Sequence, residues 1–236
     1  MNSNSVFLGV LLTRTRGNRK GKTILEKLLE VTTTQEVICG NKNCKHRSQT
    51  KSHNTSLRAK MGGRSQAPVR LHDLVNDLEA TETIKDYKCE KCGKLGAVIK
   101  RQFTELPTAL MVHVNRGGKT NFRGQAKKLN NWLQFEPEMF LQTSDGVSHK
   151  YVLRSVVSHM GSTLNSGHYV CFGRNPDKKT WSMCDDTMVS CPALMLLNRS
   201  LELTTIGSTN TRDKVPGREG GGAKILSIHS YVWKSI

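Results

Sequence analysis

Two pairs of closely spaced cysteines, Cys39 with Cys44 and Cys89 with Cys92, constrain this chain more than any other feature of its sequence. Tetrahedral zinc takes four soft ligands, and each close pair can deliver two thiolates from one turn. The knuckle Tyr87-Lys88-Cys89-Glu90-Lys91-Cys92-Gly93-Lys94 is the stronger half. Gly93 permits a tight backbone turn after the second sulfur, and the flanking lysines favour ionised sulfur. The first pair is more loosely spaced, and His46 competes with Cys39 or Cys44 as a ligand. A zinc ion held by four protein ligands is structural, because no position is left for water. Two pairs of reduced cysteines without metal are the alternative.

The other three of the seven cysteines, Cys171, Cys184 and Cys191, are scattered through apolar stretches. An odd count without a secretory leader argues against a disulfide framework and for an intracellular location, nucleus or cytoplasm. The apolar cluster Val6 to Leu12 lacks a basic region before it and a cleavage site after it, so it is not read as a leader. No apolar run approaches the ~20 residues that span a bilayer, and no membrane is expected. The formal net charge is +17, and residues 1–72 hold 14 of the 36 Lys and Arg against three acidic residues. Such a segment, Arg14 to Lys22 above all, could touch nucleic acid or serve as a localisation signal. No aromatic residue follows Phe7 until Tyr87, so a solvated basic arm is the preferred reading.

Along the chain, residues 1–30 form a basic, poorly structured segment, apart from a short helix that Thr23 caps ahead of Ile24, Leu25, Leu28 and Leu29. Residues 31–100 hold the cysteine pairs, with a strand from Val31 to Val37 and a flexible polar loop from Lys42 to Gln66. Leu71, Leu74, Val75 and Leu78 show helical spacing, with Asp73, Asp77 and Glu79 opposite. Residues 101–236 read as strands. Ala97 to Phe103 and Ala109 to Asn115 flank Leu106-Pro107, and further strands are Lys150 to Ser158, His168 to Gly173, Thr180 to Cys184 and Ile225 to Trp233. Ser190 to Lys224 is a long polar surface stretch. The fold class is α+β, a small metal-stapled module followed by a mostly antiparallel sheet.

The segment 151–186 carries the chemistry. Asn175-Pro176-Asp177-Lys178-Lys179 is a turn between two strand patterns, and folding the chain about it makes His168 and Asp185 nearly cross-strand partners. Directly paired residues have Cβ atoms about 5 Å apart. A carboxylate there can fix the imidazole tautomer and stabilise the imidazolium, although structural His–Asp pairs do the same without catalysis. Gly167 permits close backbone approach by a substrate chain. His159, the rival imidazole, suits packing or loop anchoring.

The string Val156-Val157-Ser158-His159, Gly167-His168-Tyr169, Trp181 and Asp185-Asp186 resembles the histidine box of ubiquitin-specific proteases. Cys89 and Cys92, followed by Ala97 to Lys100 and by Leu106-Pro107 with Leu110, are similar to that family's zinc finger running into its palm. His229-Ser230-Tyr231-Val232-Trp233 resembles its last palm strand. The resemblance, over residues 31–236, implies fingers stapled by structural zinc on Cys39, Cys44, Cys89 and Cys92, then a palm, with the helical thumb of the papain-like fold largely absent. It implies His168 as general base, Asp185 as its orienting acid and Asp186 as an auxiliary. Ubiquitin and ubiquitinated proteins are the implied partners, and thiol-dependent hydrolysis of the isopeptide bond after ubiquitin's last glycine is the implied reaction.

The chain departs from the family at its start. The family's cysteine box opens the domain, and Met1 to Leu29 contains no cysteine. Strand alternation points Cys171 and Cys184 away from His168 and Asp185, and Cys191 has no helix terminus to lower its pKa. No nucleophile is assigned. Three functions follow: part of an active deubiquitinase, a catalytically inactive ubiquitin-binding scaffold, or a zinc-ribbon nucleic-acid binder. Loss of the thumb is expected to expose apolar palm surface near Leu110, Val112 and the His168 strand, and the palm beneath Gly117, where the family carries an aromatic, to pack loosely. A cleft for ubiquitin's arginine-bearing tail is expected to gather Glu105, Asp185 and Asp186.

Overall fold

The computed structural model describes residues 21–62, 69–120, 122, 124, 126–161, 163–175, 180–190 and 227–235. The basic arm before residue 21, most of the Asn175–Lys179 turn, Cys191 and nearly all of the Ser190–Lys224 stretch lie outside them.

Helix α1 (Ile24–Leu29) begins at Thr23, whose Oγ1 accepts the Glu26 amide while the Glu26 carboxylate accepts the Thr23 amide. This reciprocal capping box satisfies donors that a helix start leaves bare and stabilises a short helix by about 1 kcal/mol. Strands β1 (Val31–Cys39), β2 (Arg47–Asn54), β3 (Leu57–Lys60) and β4 (Val69–Arg70) follow, then helix α2 (Leu71–Asn76) with a 3-10 turn over Asp77–Glu79. Next come β5 (Glu82–Lys88), β6 (Leu95–Glu105), β7 (Ala109–Asn115), β8 (Gly117–Thr120), β9 (Ala126–Lys128), β10 (Leu133–Gln134) and β11 (Glu138–Gln142). The last five are β12 (Ser148–Met160), β13 (His168–Arg174), β14 (Trp181–Asp185), β15 (Met188–Ser190) and β16 (Ser227–Ser235).

These strands make two main sheets. The smaller has the order β2-β1-β6-β5 and is antiparallel throughout. The larger is eight-stranded, β15-β14-β13-β12-β16-β7-β3, with β11 on β12. Its pairs are antiparallel except β3 with β7. Long β6 joins the sheets in sequence, because Leu106-Pro107 ends it and β7 starts in the larger one. The fold is α+β with a mostly antiparallel palm.

The polar run Lys42 to Gln66, expected as a loop, contains two strands instead. Every residue of β2 is exposed, so no apolar alternation betrays it. It is held by its backbone ladder to β1, from Val31 opposite Asn54 to Ile38 opposite Arg47. Lysine, arginine and histidine along such an edge discourage pairing with another chain. The core gathers Leu57, Met61, Leu71, Leu74, Val75, Phe103, Leu110, Val112, Val114, Tyr151, Leu153, Val170 and Phe172. Leu110 and Val112 are wholly buried, so the apolar exposure expected there does not occur. The apolar face of α2 belongs to the same cluster as theirs.

Candidate active site and metal centre

The β13–β14 register places Cys171 opposite Cys184, Phe172 opposite Met183 and Arg174 opposite Trp181. Extending it sets Asp185 opposite Val170, so His168 and Asp185 are diagonal same-face neighbours rather than a direct pair. The imidazole spans that offset, and His168 Nε2 is hydrogen-bonded to Asp185 Oδ1. The hydrogen bond from Asp185 raises the His168 pKa, with the charges of Asp185 and Asp186 adding to it against desolvation. With Nε2 holding the proton toward the carboxylate, the lone pair of the neutral ring lies on Nδ1.

Asp186 takes φ 49°, a left-handed conformation no other non-glycine residue among those described adopts. The cause is local: Asp185 pairs with Met188, leaving Asp186-Thr187 as a two-residue hairpin turn. An oxygen of Asp186 lies within 4.8 Å of both the His168 nitrogen and an Asp185 oxygen. Glu105 does not join this acidic group through any described bond; it accepts a hydrogen bond from Thr32 at the end of the smaller sheet (3.2 Å).

The neck of the β12–β13 hairpin is closed from inside. Gly167 was expected to admit a substrate backbone, yet its missing side chain answers to the protein's own packing. A Cβ there would lie 2.3 Å from His159 Nε2 and 2.5 Å from the Met160 carbonyl. His159 is buried, and its ring packs against that of Tyr169 at a tilt of 37°, with centroids 4.7 Å apart. Its Nδ1 faces Lys128 Nζ at 3.0 Å, and the same ammonium donates to the carbonyls of His159 and Gly161. Burial, and next Lys128, lowers the His159 pKa, in keeping with a neutral ring whose Nδ1 accepts a hydrogen bond from the Lys128 ammonium. Loop anchoring by His159 was legible in the sequence. Lys128 was not, since nothing in Ala126-Lys127-Lys128-Leu129 separates the buried lysine from its exposed neighbour. Arg116 is likewise buried, donating from Nη1 to the carbonyls of Leu129 (3.0 Å) and Asn131 (2.9 Å). Beside it a Gly117 Cβ would meet Asn115 Oδ1 at 3.1 Å and Leu164 Cδ1 at 3.8 Å.

At the far end of the smaller sheet the four expected cysteines converge. Cys39 Sγ lies 3.7 Å from Cys92 Sγ, and Cys44 Sγ lies 3.9 Å from Cys89 Sγ. A tetrahedron with bonds of about 2.3 Å to sulfur has edges of about 3.8 Å, so the spacing fits one ion held by four thiolates. Such a cluster could hold a metal ion. The Asn41 amide pulls Cys39 down, but burial and the three neighbouring sulfurs outweigh it and push its thiol up to about 12. The Lys94 amide, with Asn41 and the Cys39 and Cys44 sulfurs, overcomes burial and brings Cys92 down to about 6. Four crowded sulfurs that cannot all ionise alone are what a cation relieves. His46 is not a rival within the quartet. Its Nδ1 sits 3.6 Å from Cys89 Sγ, outside the four, while Asn41 Nδ2 donates toward Cys92 Sγ at 3.8 Å.

Comparison with known proteins fits this geometry. The solved SAGA DUB module Ubp8/Sgf11/Sus1/Sgf73 bound to monoubiquitin shares the fold, with a TM-score of 0.74 at 17% identity over 100% of this chain and 49% of its counterpart. The module bound to ubiquitin aldehyde gives a TM-score of 0.67 at 18% identity over 99% of this chain and 47% of its counterpart. The ubiquitin carboxyl-terminal hydrolase family model matches residues 5–193, and the chain belongs to that family. Ubiquitin hydrolase B of Dictyostelium discoideum is 32% identical over 56% of this chain and 30% of its own length. Ubiquitin carboxyl-terminal hydrolase 10 of Saccharomyces cerevisiae is 33% identical over 45% of this chain and 14% of its own length. The chain thus spans less than a third of these relatives and about half of the solved counterparts.

Proposed function

We propose that this chain supplies the ubiquitin-gripping and base-bearing half of a cysteine-type deubiquitinase. The observation that carries the reading is the His168–Asp185 hydrogen bond, which turns Nδ1 into the basic nitrogen at the mouth of the palm hairpin. In thiol-dependent hydrolysis of an isopeptide bond, that nitrogen takes the nucleophile's proton and returns it to the departing lysine amine. Asp185 fixes the tautomer and stabilises the imidazolium, and Asp186 adds negative potential beside it. Cys39, Cys44, Cys89 and Cys92 would hold a structural zinc ion that keeps the tip of the small sheet in shape. Ubiquitin, found on the structurally similar modules, is the proposed partner, in the nucleus or cytoplasm.

A second reading is a ubiquitin-binding scaffold without turnover. It is favoured by the placement of the thiols: Cys171 and Cys184 pair on the sheet face opposite His168, and the other described cysteines form the metal cluster. Ubiquitin carrying a C-terminal electrophile tests both. The chain is expected to bind ubiquitin and form no covalent adduct. An adduct mapped to Cys171, Cys184 or Cys191 would overturn the assignment of those thiols as inert, and absence of ubiquitin binding would overturn both readings.

A further inference from the structure

Outside the His–Asp pair and the metal cluster, a further juxtaposition of chemistry-bearing side chains lies on β13 and β14. Cys171 on β13 and Cys184 on β14 are direct cross-strand partners. Antiparallel partners have Cα atoms about 4.5–5.5 Å apart and point to the same face, inside the span of about 4.4–6.8 Å that a disulfide bridges. The pair lies in a row with Val157 of β12 on one side and Val189 of β15 on the other. Cys184 is exposed and Cys171 half-buried. Both are free thiols.

We propose that Cys171 and Cys184 form an oxidisable dithiol, a site of thiol–disulfide exchange with small-molecule disulfides that clips β13 to β14. The inference does not depend on the catalytic reading. Exposed Cys184 meets the small disulfide first, its thiolate displaces one thiolate from it, and a mixed disulfide results. Cys171 then gives its proton to solvent and attacks the Cys184 sulfur, expelling the second small thiolate. The two cysteines lose two protons and two electrons, and the small disulfide gains them as two thiols. Burial, and next the neighbouring Cys184, pushes the Cys171 thiol up, which makes it the resolving rather than the attacking sulfur. The bond joins the strands that carry His168 and Asp185, so its formation restricts the hairpin at the end where those residues meet.

The full chain, kept with zinc and carrying Cys191→Ser, is incubated with glutathione disulfide, alkylated and digested with trypsin. Peptides 155–174 and 180–199 then hold Cys171 and Cys184 as their single cysteines. The expected product is these two peptides joined and two hydrogens lighter, with loss of alkylation at both positions and slowed amide exchange along β14. In a Cys184→Ser variant Cys171 stays alkylatable throughout. Glutathione retained on Cys184 with Cys171 still alkylated, a bond from Cys171 to any of Cys39, Cys44, Cys89 or Cys92, or no reaction at either cysteine overturns the proposal.

Discussion

His168 Nε2 is committed to a carboxylate, and that single bond decides which ring nitrogen can act as a base. Its pKa is raised first by the Asp185 hydrogen bond, so the charged ring stabilises the fold fully below the unfolded value of about 6.5 and loses that contribution as pH rises through the folded value. The NMR titration midpoint of His168 is expected above 6.5 and is expected to fall in Asp185→Asn; an unchanged midpoint in the variant contradicts the pairing. Lys128 presents the opposite case, a buried cation with three acceptors around it. Lys128→Met strands those acceptors, and each buried unsatisfied group costs about 1–3 kcal/mol. A loss of about 3 kcal/mol in urea unfolding is expected, and a loss below about 0.5 kcal/mol, the range of an ordinary surface change, contradicts the buried role. The pairing of His168 with Asp185 could be read from Gly-His-Tyr and the acidic pair, and His159 from its place at a strand end before Met160-Gly161. Lys128 could not, because its partners are backbone carbonyls and a histidine distant in sequence.

At the scale of elements, the alternation in Leu110, Val112 and Val114 announced β7, as the period of two requires of a strand with one buried face. Strand β2 stayed hidden because an edge strand exposed on both faces has no hydrophobic pattern to display. The small strands between Gly117 and Gln142 escaped for a related reason, being two to five residues long. The β12–β13 neck has no room for a methyl group at Gly167. Gly167→Ala is therefore expected to displace His159 from Tyr169, lower the melting temperature and shift the His168 resonances. Unaltered stability and spectra would contradict the packing described. The smaller sheet depends on its cysteine end: Cys39 pairs with Ala97 across β1 and β6, while Cys89 closes the turn that begins β6. Chelation is expected to speed amide exchange in β1, β5 and β6 while leaving β7 and β12 protected, and one zinc is expected to leave per chain. Uniform protection after metal removal, or no zinc in protein prepared without chelators, contradicts a structural ion.

For the whole molecule, ordered motifs foretold two modules in the right sequence, but not how they are covered. The palm core is closed by α2, β3 and the long β12, so Leu110 and Val112 are sheltered within it. On the proposed reading, this arrangement presents a ubiquitin-binding surface, with His168 as base and Asp185 as its orienting acid. Titration of isotopically labelled ubiquitin with the zinc-bound chain tests this most directly. Saturable shifts across the ubiquitin core and its C-terminal tail, with the tail shifts weakened by Asp185→Asn and the core shifts weakened by chelation, are predicted. A ubiquitin spectrum unmoved by an excess of the folded, zinc-bound chain would contradict the account.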